Sequence, residues 1–129
     1  MKVYIKSATN VADIEAKIAK KQAEIDKKQA WIAKKEAAIQ KKLDMLQPKI
    51  SADEYSKLSH YLECLKTTYS SKIVAEDRFD CWGLAKKNGW NYESPEGKAL
   101  YSIDDDAESI YNSNYTIKEA EAIRDKYIA

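Results

Sequence analysis

A seven-residue repeat of isoleucine organises the first half of the chain. The sequence runs IAKKQAE, IDKKQAW, IAKKEAA and IQKKLDM, which places the repeat at Ile18, Ile25, Ile32 and Ile39. Seven residues make two turns of a slightly underwound α-helix. Neither glycine nor proline occurs over residues 11–47, and Pro48 disfavours helical geometry at the residue before it. The sequence therefore predicts one helix of about 36 residues, with Asn10 as its N-cap.

The segment after Pro48 predicts an antiparallel partner for this helix. Ser51 and Glu54 have the spacing of a capping box, in which each residue satisfies the backbone N–H of the other. The apolar residues that follow recur at intervals of three and four and are Tyr55, Leu58, Leu62, Leu65 and Tyr69. A short connection favours antiparallel neighbours. We therefore expect residues 11–80 to form a long, coiled-coil helical hairpin, in which the alanines of the first helix widen the contact face.

The last third of the chain has a different composition, rich in aromatic and acidic residues. Ser94-Pro95-Glu96-Gly97 has the residue types of a tight turn, and the flanking runs 90–92 and 99–103 resemble short strands. This pattern predicts a small β-hairpin, to which Val3-Tyr4-Ile5 adds a third strand. A capping box at Thr116 and Glu119 predicts a closing helix.

The expected fold is thus mainly α, of the α+β class, with two domains. Residues 1–80 form an N-terminal strand and the coiled-coil hairpin. Residues 81–129 form a small aromatic and acidic module, with a short β-hairpin and a C-terminal helix, that packs on the hairpin.

Charge is distributed unevenly along the chain. Residues 1–50 carry a net charge of +6 and residues 51–129 a net charge of -5, although the whole chain of 129 residues carries only +1. The basic half contains a lysine ladder, with pairs at Lys20/Lys21, Lys27/Lys28, Lys34/Lys35 and Lys41/Lys42. Such a ladder can track a phosphate backbone, dock on an acidic protein surface or form a solvated helix face. Alternatively, the two halves neutralise each other within one fold.

Aromatic residues add a second candidate contact surface. Trp31 is flanked at three and four residues by lysines of the ladder, and eight of the nine tyrosines follow residue 50. Tyrosine and tryptophan are favoured both in protein interfaces and in the cores of small modules. The candidate partner-binding residues are Lys27, Lys28, Trp31, Lys34, Lys35, Tyr92, Tyr101, Asp104, Asp105, Asp106 and Tyr111.

Residues suited to catalysis or metal binding are sparse. His60 is the only histidine, and no phosphate-binding glycine loop is present. His60 and Cys64 lie four residues apart and can face one metal ion, but no second pair of ligands lies nearby, so we interpret both as helix-packing residues. We expect no cofactor, no metal and no enzyme activity. Two cysteines form no disulfide framework, and neither a signal peptide nor a membrane span is evident, which indicates the cytoplasm.

Two resemblances bear on function. The run Tyr92-Glu93-Ser94-Pro95-Glu96-Gly97-Lys98 is similar to the strand-turn-strand of methyl-CpG-binding domains, over about a tenth of the chain, but the arginine fingers of that family have no counterpart here. The start MKVYIKSAT, the repetitive helix IAKKQAEIDKKQAWIAKKEAAI and the aromatic, acidic end resemble small accessory proteins of phages and mobile elements, including anti-CRISPR inhibitors. This second resemblance implies a protein that blocks a host defence protein in the host cytoplasm.

Together these features predict a non-enzymatic protein that docks on a larger protein and inhibits or scaffolds it. The resemblance implies that this partner is a CRISPR-associated nuclease or another defence protein. One alternative is a nucleic-acid-binding protein that uses the lysine ladder on phosphates. Another is a structural coiled coil that associates with itself as a homo-oligomer through its isoleucine and alanine face.

Overall fold

The computed structural model describes residues 11–127, which contain four α-helices and no β-strand. The helices are α1 (Val11–Leu46), α2 (Ala52–Thr67), α3 (Cys81–Lys87) and α4 (Pro95–Asp125). Three short 3₁₀ helices lie at Gln47–Lys49, Ser70–Lys72 and Ala75–Asp77. Over the range described, the protein is all-α, so the predicted α+β class is wrong.

The long first helix is confirmed. It has 36 residues and ends at Leu46, where the 3₁₀ helix that contains Pro48 begins. Pro48 has no N–H to continue the helical hydrogen bonds, which explains the stop. The predicted N-cap, Asn10, and the predicted strand Val3-Tyr4-Ile5 lie outside the described residues.

The capping box of α2 is also confirmed. The Ser51 hydroxyl accepts a hydrogen bond from the Glu54 N–H at 3.0 Å, and the Ser51 N–H donates to Glu54 Oε1 at 2.9 Å. However, α2 ends at Thr67 and does not continue to residue 80, because Thr68 adopts an extended conformation. Extended chain and the two 3₁₀ helices Ser70–Lys72 and Ala75–Asp77 then connect α2 to α3.

The predicted β-hairpin is absent, because its turn is instead the start of α4. Pro95 is the first residue of this helix, a position where its fixed φ and missing N–H are favourable. The Ser94 hydroxyl accepts a hydrogen bond from the Gly97 N–H at 3.0 Å, as an N-cap does. Residues 90–92 lie in the preceding loop, and residues 99–103 lie in α4.

Helix α4 runs without interruption for 31 residues. The buried apolar residues of its first half recur at intervals of three and four and are Leu100, Ile103, Ala107 and Ile110. Thr116, expected to start a new helix, lies within α4, and its hydroxyl donates to the Asn112 carbonyl at 3.0 Å. Asp104, Asp105 and Asp106 also lie inside α4. No glycine or proline follows Gly97, so nothing in the sequence breaks the helix.

The chain divides into two compact units, and both long helices contribute to each. The terminal unit contains α1 up to Ile32 and α4 from Asn112, whereas the central unit comprises Ala33–Tyr111. The predicted domain boundary after residue 80 therefore falls inside the central unit. In the terminal unit, Ile25 packs with Ile117 and Ala120, and Arg124 donates a hydrogen bond to Gln22 at 2.8 Å.

The core of the central unit is formed by all four helices. Its buried apolar residues include Ile39, Leu43 and Leu46 of α1, Leu58, Leu62 and Leu65 of α2, Leu84 and Ala85 of α3, and Leu100, Ile103, Ala107 and Ile110 of α4. Within this unit Lys49 pairs with Glu96, Lys42 with Ser102 and Lys35 with Asp106, so α1 and α4 are antiparallel. The α1–α4 contact was not predicted.

Candidate functional site

The lysine ladder is not a uniform solvent-exposed face. Lys35 and Lys42 are half-buried and turn towards Asp106 of α4, which is only 7% exposed. Lys35 Nζ lies 3.3 Å from Asp106 Oδ1, and Lys42 Nζ donates to Asp106 Oδ2 and, at 2.9 Å, to the Ser102 hydroxyl. Both lysines share a helix face with the buried Ile39, at intervals of four and three residues. Part of the ladder is therefore an internal structural contact.

Other ion pairs also join residues that are far apart in the sequence, and one of them, Lys49–Glu96, connects the basic half to the acidic half. Lys49 donates to Glu96, and this hydrogen bond lowers the pKa of the Glu96 carboxyl. Lys66 Nζ lies 2.9 Å from Glu36 Oε2 across α1 and α2. The pKa of Glu54 is lowered first by the Ser51 N–H of the capping box and then by Lys87, whose Nζ lies 3.0 Å away. Neutralisation within the fold, one of the two interpretations of the charge asymmetry, thus accounts for several lysines.

Apart from Lys21, which is half-buried and pairs with Glu24 at 3.2 Å, the remaining members of the ladder are exposed on α1, as is Trp31. Lys27, Lys28 and Lys34 are exposed, and Trp31 is 45% exposed. Lys27, Lys28 and Trp31 belong to the terminal unit, whereas Lys34 belongs to the central unit. Of the five candidate partner-binding residues on α1, Lys35 is the one whose side chain packs towards Asp106 and is half-buried.

An aromatic cluster on the central unit brings two predicted residues together with a third. The ring of Tyr101 lies between those of Trp82 and Tyr92. Its centroid is 4.5 Å from that of Trp82 in an edge-on arrangement and 5.4 Å from that of Tyr92 in a stacked one. Trp82 is 58% exposed and Tyr92 is 69% exposed. We call Trp82, Tyr92 and Tyr101 the aromatic cluster.

Local structure places each ring of the aromatic cluster. Trp82 is the second residue of α3, whose N-cap Asp80 accepts a hydrogen bond from the Gly83 N–H at 2.9 Å. Tyr101 is on the first turns of α4. Tyr92 lies in the loop between the two helices, where the Asn91 side chain accepts from the N–H groups of Glu93 at 3.0 Å and Ser94 at 2.9 Å.

Gly97 fixes the position of the loop that carries Tyr92. A Cβ atom at residue 97 would lie 1.8 Å from the Asn91 carbonyl oxygen, so the loop approaches α4 more closely than any side chain allows. The Ser94 hydroxyl strengthens this contact by donating to the same Asn91 carbonyl at 2.8 Å. Tyr92 is therefore exposed on a well-defined turn.

The predicted acidic residues do not form one patch. Asp106 points inward to Lys35 and Lys42, whereas Asp105 is exposed. Asp104 is half-buried, and burial followed by the charge of Asp105 raises the pKa of its carboxyl. Tyr111, the last of the predicted residues, packs against Tyr69 at a centroid distance of 6.3 Å. Asp104, Asp105 and Asp106 therefore do not form one continuous exposed acidic surface.

A second cluster joins His60 and Cys64 of α2 to Asp77, which precedes α3. His60 Nε2 lies 2.9 Å from Asp77 Oδ1 and 3.7 Å from Cys64 Sγ. His60 is exposed and the other two are partly buried, so His60 is not the packing residue that its sequence position indicated. Burial, followed by the charge of Asp77, raises the pKa of the Cys64 thiol. Both partners face the same ring nitrogen, unlike a Cys–His–Asp relay, which uses the two nitrogens separately.

Sequence reasoning missed two residues of these clusters, Trp82 and Asp77. Trp82 was visible only as part of the aromatic composition of the last third, and its contact with Tyr101 depends on the packing of α3 against α4. Asp77 lies 13 residues after Cys64, beyond the end of α2. Helical spacing therefore could not predict its contact with His60. Neither residue carried a local signal that singled it out.

Comparison of the chain with protein-family models, curated proteins and solved structures finds no match. None of the helices described here is both long and apolar enough to cross a membrane.

Proposed function

We propose that this is a non-enzymatic binding protein that docks on a larger protein through the aromatic cluster Trp82, Tyr92 and Tyr101. The observation that supports this function best is that the Tyr101 ring contacts the rings of both Trp82 and Tyr92, while Trp82 and Tyr92 remain more than half exposed. Leaving contiguous apolar rings in water is unfavourable, and such patches on proteins commonly mark interaction sites.

The composition of the cluster suits a protein partner. Tryptophan and tyrosine are the residue types most enriched among energetically dominant interface positions, because they contribute large contact areas at little rotamer cost. Here the rings already contact one another, so less side-chain freedom remains to be lost on binding. The cluster is thus partly organised for docking before a partner arrives.

Charged residues of both signs surround the rings. Lys86 follows Trp82 by one helical turn, Lys98 precedes Tyr101 by one turn, and Asp105 follows Tyr101 by one turn, and all three are exposed. An apolar centre with a mixed charged rim is the usual organisation of a protein interface. The partner surface we propose is therefore an apolar pocket bordered by both acidic and basic groups.

A capture experiment with matched variants tests this proposal. Wild-type protein, the double variant Trp82→Ala/Tyr92→Ala and the control variant Tyr115→Ala are immobilised and exposed to lysate of the cells in which the protein occurs. Tyr115 is 59% exposed, like the cluster residues, but belongs to the terminal unit. We expect one protein to be retained by the wild type and the control but not by the double variant.

Affinity measurement with the captured protein completes the test. Loss of two central aromatic anchors costs about 2 kcal/mol or more, which corresponds to at least about a 30-fold weaker dissociation constant. Circular dichroism verifies that the double variant is folded. Equal affinities for the double variant and the Tyr115 control would refute docking through the cluster.

A more specific proposal is that the protein inhibits a CRISPR-associated nuclease or another defence protein. This proposal derives only from the resemblance to small accessory proteins of phages and mobile elements. Identification of the captured protein and measurement of its activity in the presence of wild type and double variant test this part separately. Inhibition by the wild type and none by the double variant would support it.

Nucleic-acid binding by the lysine ladder has less support in the structure than in the sequence. Two lysines of the ladder, Lys35 and Lys42, share the Asp106 carboxylate within the fold and are half-buried. Phosphate binding by the exposed members, such as Lys34 and Lys41, would give an affinity that falls steeply with salt, by a slope of about -0.9 per phosphate contacted. A titration of duplex DNA across salt concentrations distinguishes this mode from docking through aromatic rings.

Self-association has only part of the predicted isoleucine and alanine face of α1 available to it. Ile14, Ile25 and Ile39 are each at most 3% exposed within a single chain, so they are unavailable to a second copy. Ile18 and Ile32 are partly buried and most alanines of α1 are exposed, so a second copy would contact mainly alanines. Light scattering at several concentrations tests this alternative directly.

A further inference from the structure

We propose that His60, Cys64 and Asp77 form a binding site for a zinc ion. One ligand atom from each side chain, Nε2 of His60, Sγ of Cys64 and a carboxylate oxygen of Asp77, lies within 4.8 Å of the other two. Imidazole nitrogen, thiolate sulfur and carboxylate oxygen are the three kinds of ligand that Zn²⁺ takes in proteins. This site is separate from the aromatic cluster and does not depend on the proposed docking function.

The separations fit a tetrahedral ion. Zinc–ligand bonds of 2.0–2.3 Å at tetrahedral angles require ligand atoms about 3.3–3.6 Å apart. The observed distances are 2.9 Å between His60 Nε2 and Asp77 Oδ1 and 3.7 Å between His60 Nε2 and Cys64 Sγ. The third separation, between Cys64 Sγ and the Asp77 carboxylate oxygen, is at most 4.8 Å. Side-chain rotations that move these atoms by up to about 1 Å bring all three to zinc-binding positions.

The scaffold holds the three side chains in place. His60 and Cys64 are four residues apart on α2 and therefore lie on one face of the helix. Asp77 ends the 3₁₀ helix Ala75–Asp77, and its N–H donates to the Val74 carbonyl at 3.1 Å. A regular helix thus supplies two ligands and a short hydrogen-bonded turn supplies the third.

Nearby cations are engaged with other groups. The guanidinium of Arg78 donates to the carbonyls of Ile73 at 3.0 Å and Ser70 at 2.7 Å, which anchors the segment that carries Asp77. Lys57 Nζ lies 3.1 Å from Asp53 Oδ2. Both side chains therefore have partners outside the site, and Arg78 contributes to its rigidity.

The convergence of two partners on one nitrogen is what favours an ion over a hydrogen-bonded relay. A single N–H at Nε2 can point at Asp77 or at Cys64, but an ion placed among the three atoms bonds all of them at once. Binding requires the imidazole proton on Nδ1, and the thiol proton passes to solvent as the zinc–sulfur bond forms. No electron transfer is involved.

A fourth ligand position opens onto a cavity of about 210 Å³. Ser56, Lys57, Glu76 and Arg78 line this cavity together with His60 and Asp77. Three protein ligands and one open position are the arrangement of zinc sites that retain a water molecule. A water molecule completes the coordination.

Cobalt titration of the reduced, metal-free full chain tests the proposal. The protein for this titration is prepared without a polyhistidine tag, so that His60 is the only histidine that can bind cobalt. We expect Co²⁺ to bind at one ion per chain, with a thiolate-to-cobalt absorption band in the near ultraviolet and visible bands typical of tetrahedral coordination. Addition of Zn²⁺ is expected to abolish both sets of bands.

Matched variants identify the ligands. We expect Cys64→Ser to abolish the thiolate band, and His60→Ala and Asp77→Asn to weaken binding by more than about tenfold, the smallest loss usual for an outer-shell partner. Cys81→Ser is the control, because Cys81 is buried at 4% exposure and is not one of the ligands. Its thiolate band is expected to be unchanged.

The proposal is overturned if cobalt fails to bind at equimolar concentration or if Cys64→Ser retains the thiolate band. A second readout covers any variant that folds poorly: in the wild-type protein, Zn²⁺ is expected to slow alkylation of Cys64 by more than tenfold. Alkylation at the same rate with and without Zn²⁺ would also overturn the site.

Discussion

Lys42 of α1 and Asp106 of α4 form a hydrogen-bonded ion pair across 64 residues of sequence. Lys35 lies near the other oxygen of the same carboxylate, at 3.3 Å, and Ser102 accepts a further hydrogen bond from Lys42. Because Asp106 is almost fully buried, its charge has to be balanced by these neighbours. Two members of the lysine ladder thus hold two helices of the central unit together.

Reversing the charge of each lysine in the pair Lys34/Lys35 is expected to show which of the two stabilises the fold. Lys35→Glu places a second carboxylate against Asp106, whereas Lys34→Glu changes an exposed residue. Breaking a buried ion pair costs about 3–5 kcal/mol, but the Lys35 side chain is 26% exposed. We therefore expect Lys35→Glu to lower the free energy of unfolding by about 2 kcal/mol and Lys34→Glu by less than about 0.5 kcal/mol.

Urea denaturation followed by circular dichroism measures both values. Lys42→Glu and Lys41→Glu provide the same comparison one heptad later. Equal losses within either pair would contradict the assignment of Lys35 and Lys42 to the core contact.

Substitution of Gly97 by alanine is expected to disturb the loop of Tyr92. The new Cβ would meet the Asn91 carbonyl oxygen at 1.8 Å, and backbone on both sides has to move to relieve the clash. Forced overpacking of this kind costs about 1–3 kcal/mol. We expect a loss of about 2 kcal/mol or more in thermal or chemical unfolding.

Gly89→Ala is the control for this prediction. Gly89 has a φ of +71°, but no atom lies within 4 Å of its added Cβ, so the cost is backbone strain alone. That strain is about 1 kcal/mol. A larger loss at residue 89 than at residue 97 would show that the close approach to Asn91 is unimportant.

The two cysteines are expected to differ in reactivity. Cys81 is buried, and burial followed by the charge of Asp104 raises the pKa of its thiol to about 12. Since the thiolate is the reactive form, Cys81 reacts only when the chain unfolds. Cys64 is partly exposed. Titration of the metal-free protein with a chromogenic disulfide reagent is expected to detect one thiol per native chain and two per denatured chain.

Cys64→Ser identifies the reactive residue. The native variant is expected to show no rapidly reacting thiol, while its denatured form shows one. Rapid modification of Cys81 in the native variant would mean that the α3 region opens far more readily than its burial indicates.

Asp104 is expected to make stability depend on pH. Its folded-state pKa is raised, first by burial and then by Asp105, so the folded chain holds the proton more tightly than the unfolded chain does. Ionisation therefore costs the folded state free energy, and this contribution to stability is lost as pH rises from the ordinary aspartate pKa through the raised value.

Asp104→Asn removes this penalty and keeps the oxygen that accepts the Asp105 N–H. We expect the variant to be more stable than the wild type at neutral pH and equal to it at a pH below the ordinary aspartate pKa. Unfolding by urea at the two pH values measures the difference. The exposed Glu93→Gln serves as the control, and a stabilisation of the same size there would point to a general charge effect.

The features predicted correctly from sequence are those set by local rules. The heptad repeat with Pro48 determines α1, and the reciprocal hydrogen bonds of Ser51 and Glu54 determine the start of α2. Residues Ser94–Gly97 were misassigned because serine, proline and glycine suit both a tight turn and a helix N-terminus. The spacing of Leu100, Ile103, Ala107 and Ile110 was the signal that favoured the helix.

The candidate site was only partly predictable for a different reason. Asp105 and Asp106 are the same residue type and look alike in sequence. Because adjacent residues on a helix point about 100° apart, Asp105 is exposed whereas Asp106 is buried. Which of them faces the core depends on the α1–α4 pairing, which no local pattern encodes. The same holds for Trp82, which meets Tyr101 only when α3 packs against α4.

The antiparallel pairing of α1 with α4 has a consequence for synthesis of the chain. The ribosome releases the lysines and isoleucines of α1 long before Ser102 and Asp106, which lie 60 and 64 residues after Lys42. Contacts of such long sequence separation close late and slowly. During translation α1 can therefore contact only α2 and α3 until α4 emerges, and a nascent chain that stalls before Pro95 lacks one of the four helices that bury the core residues Ile39 and Leu43.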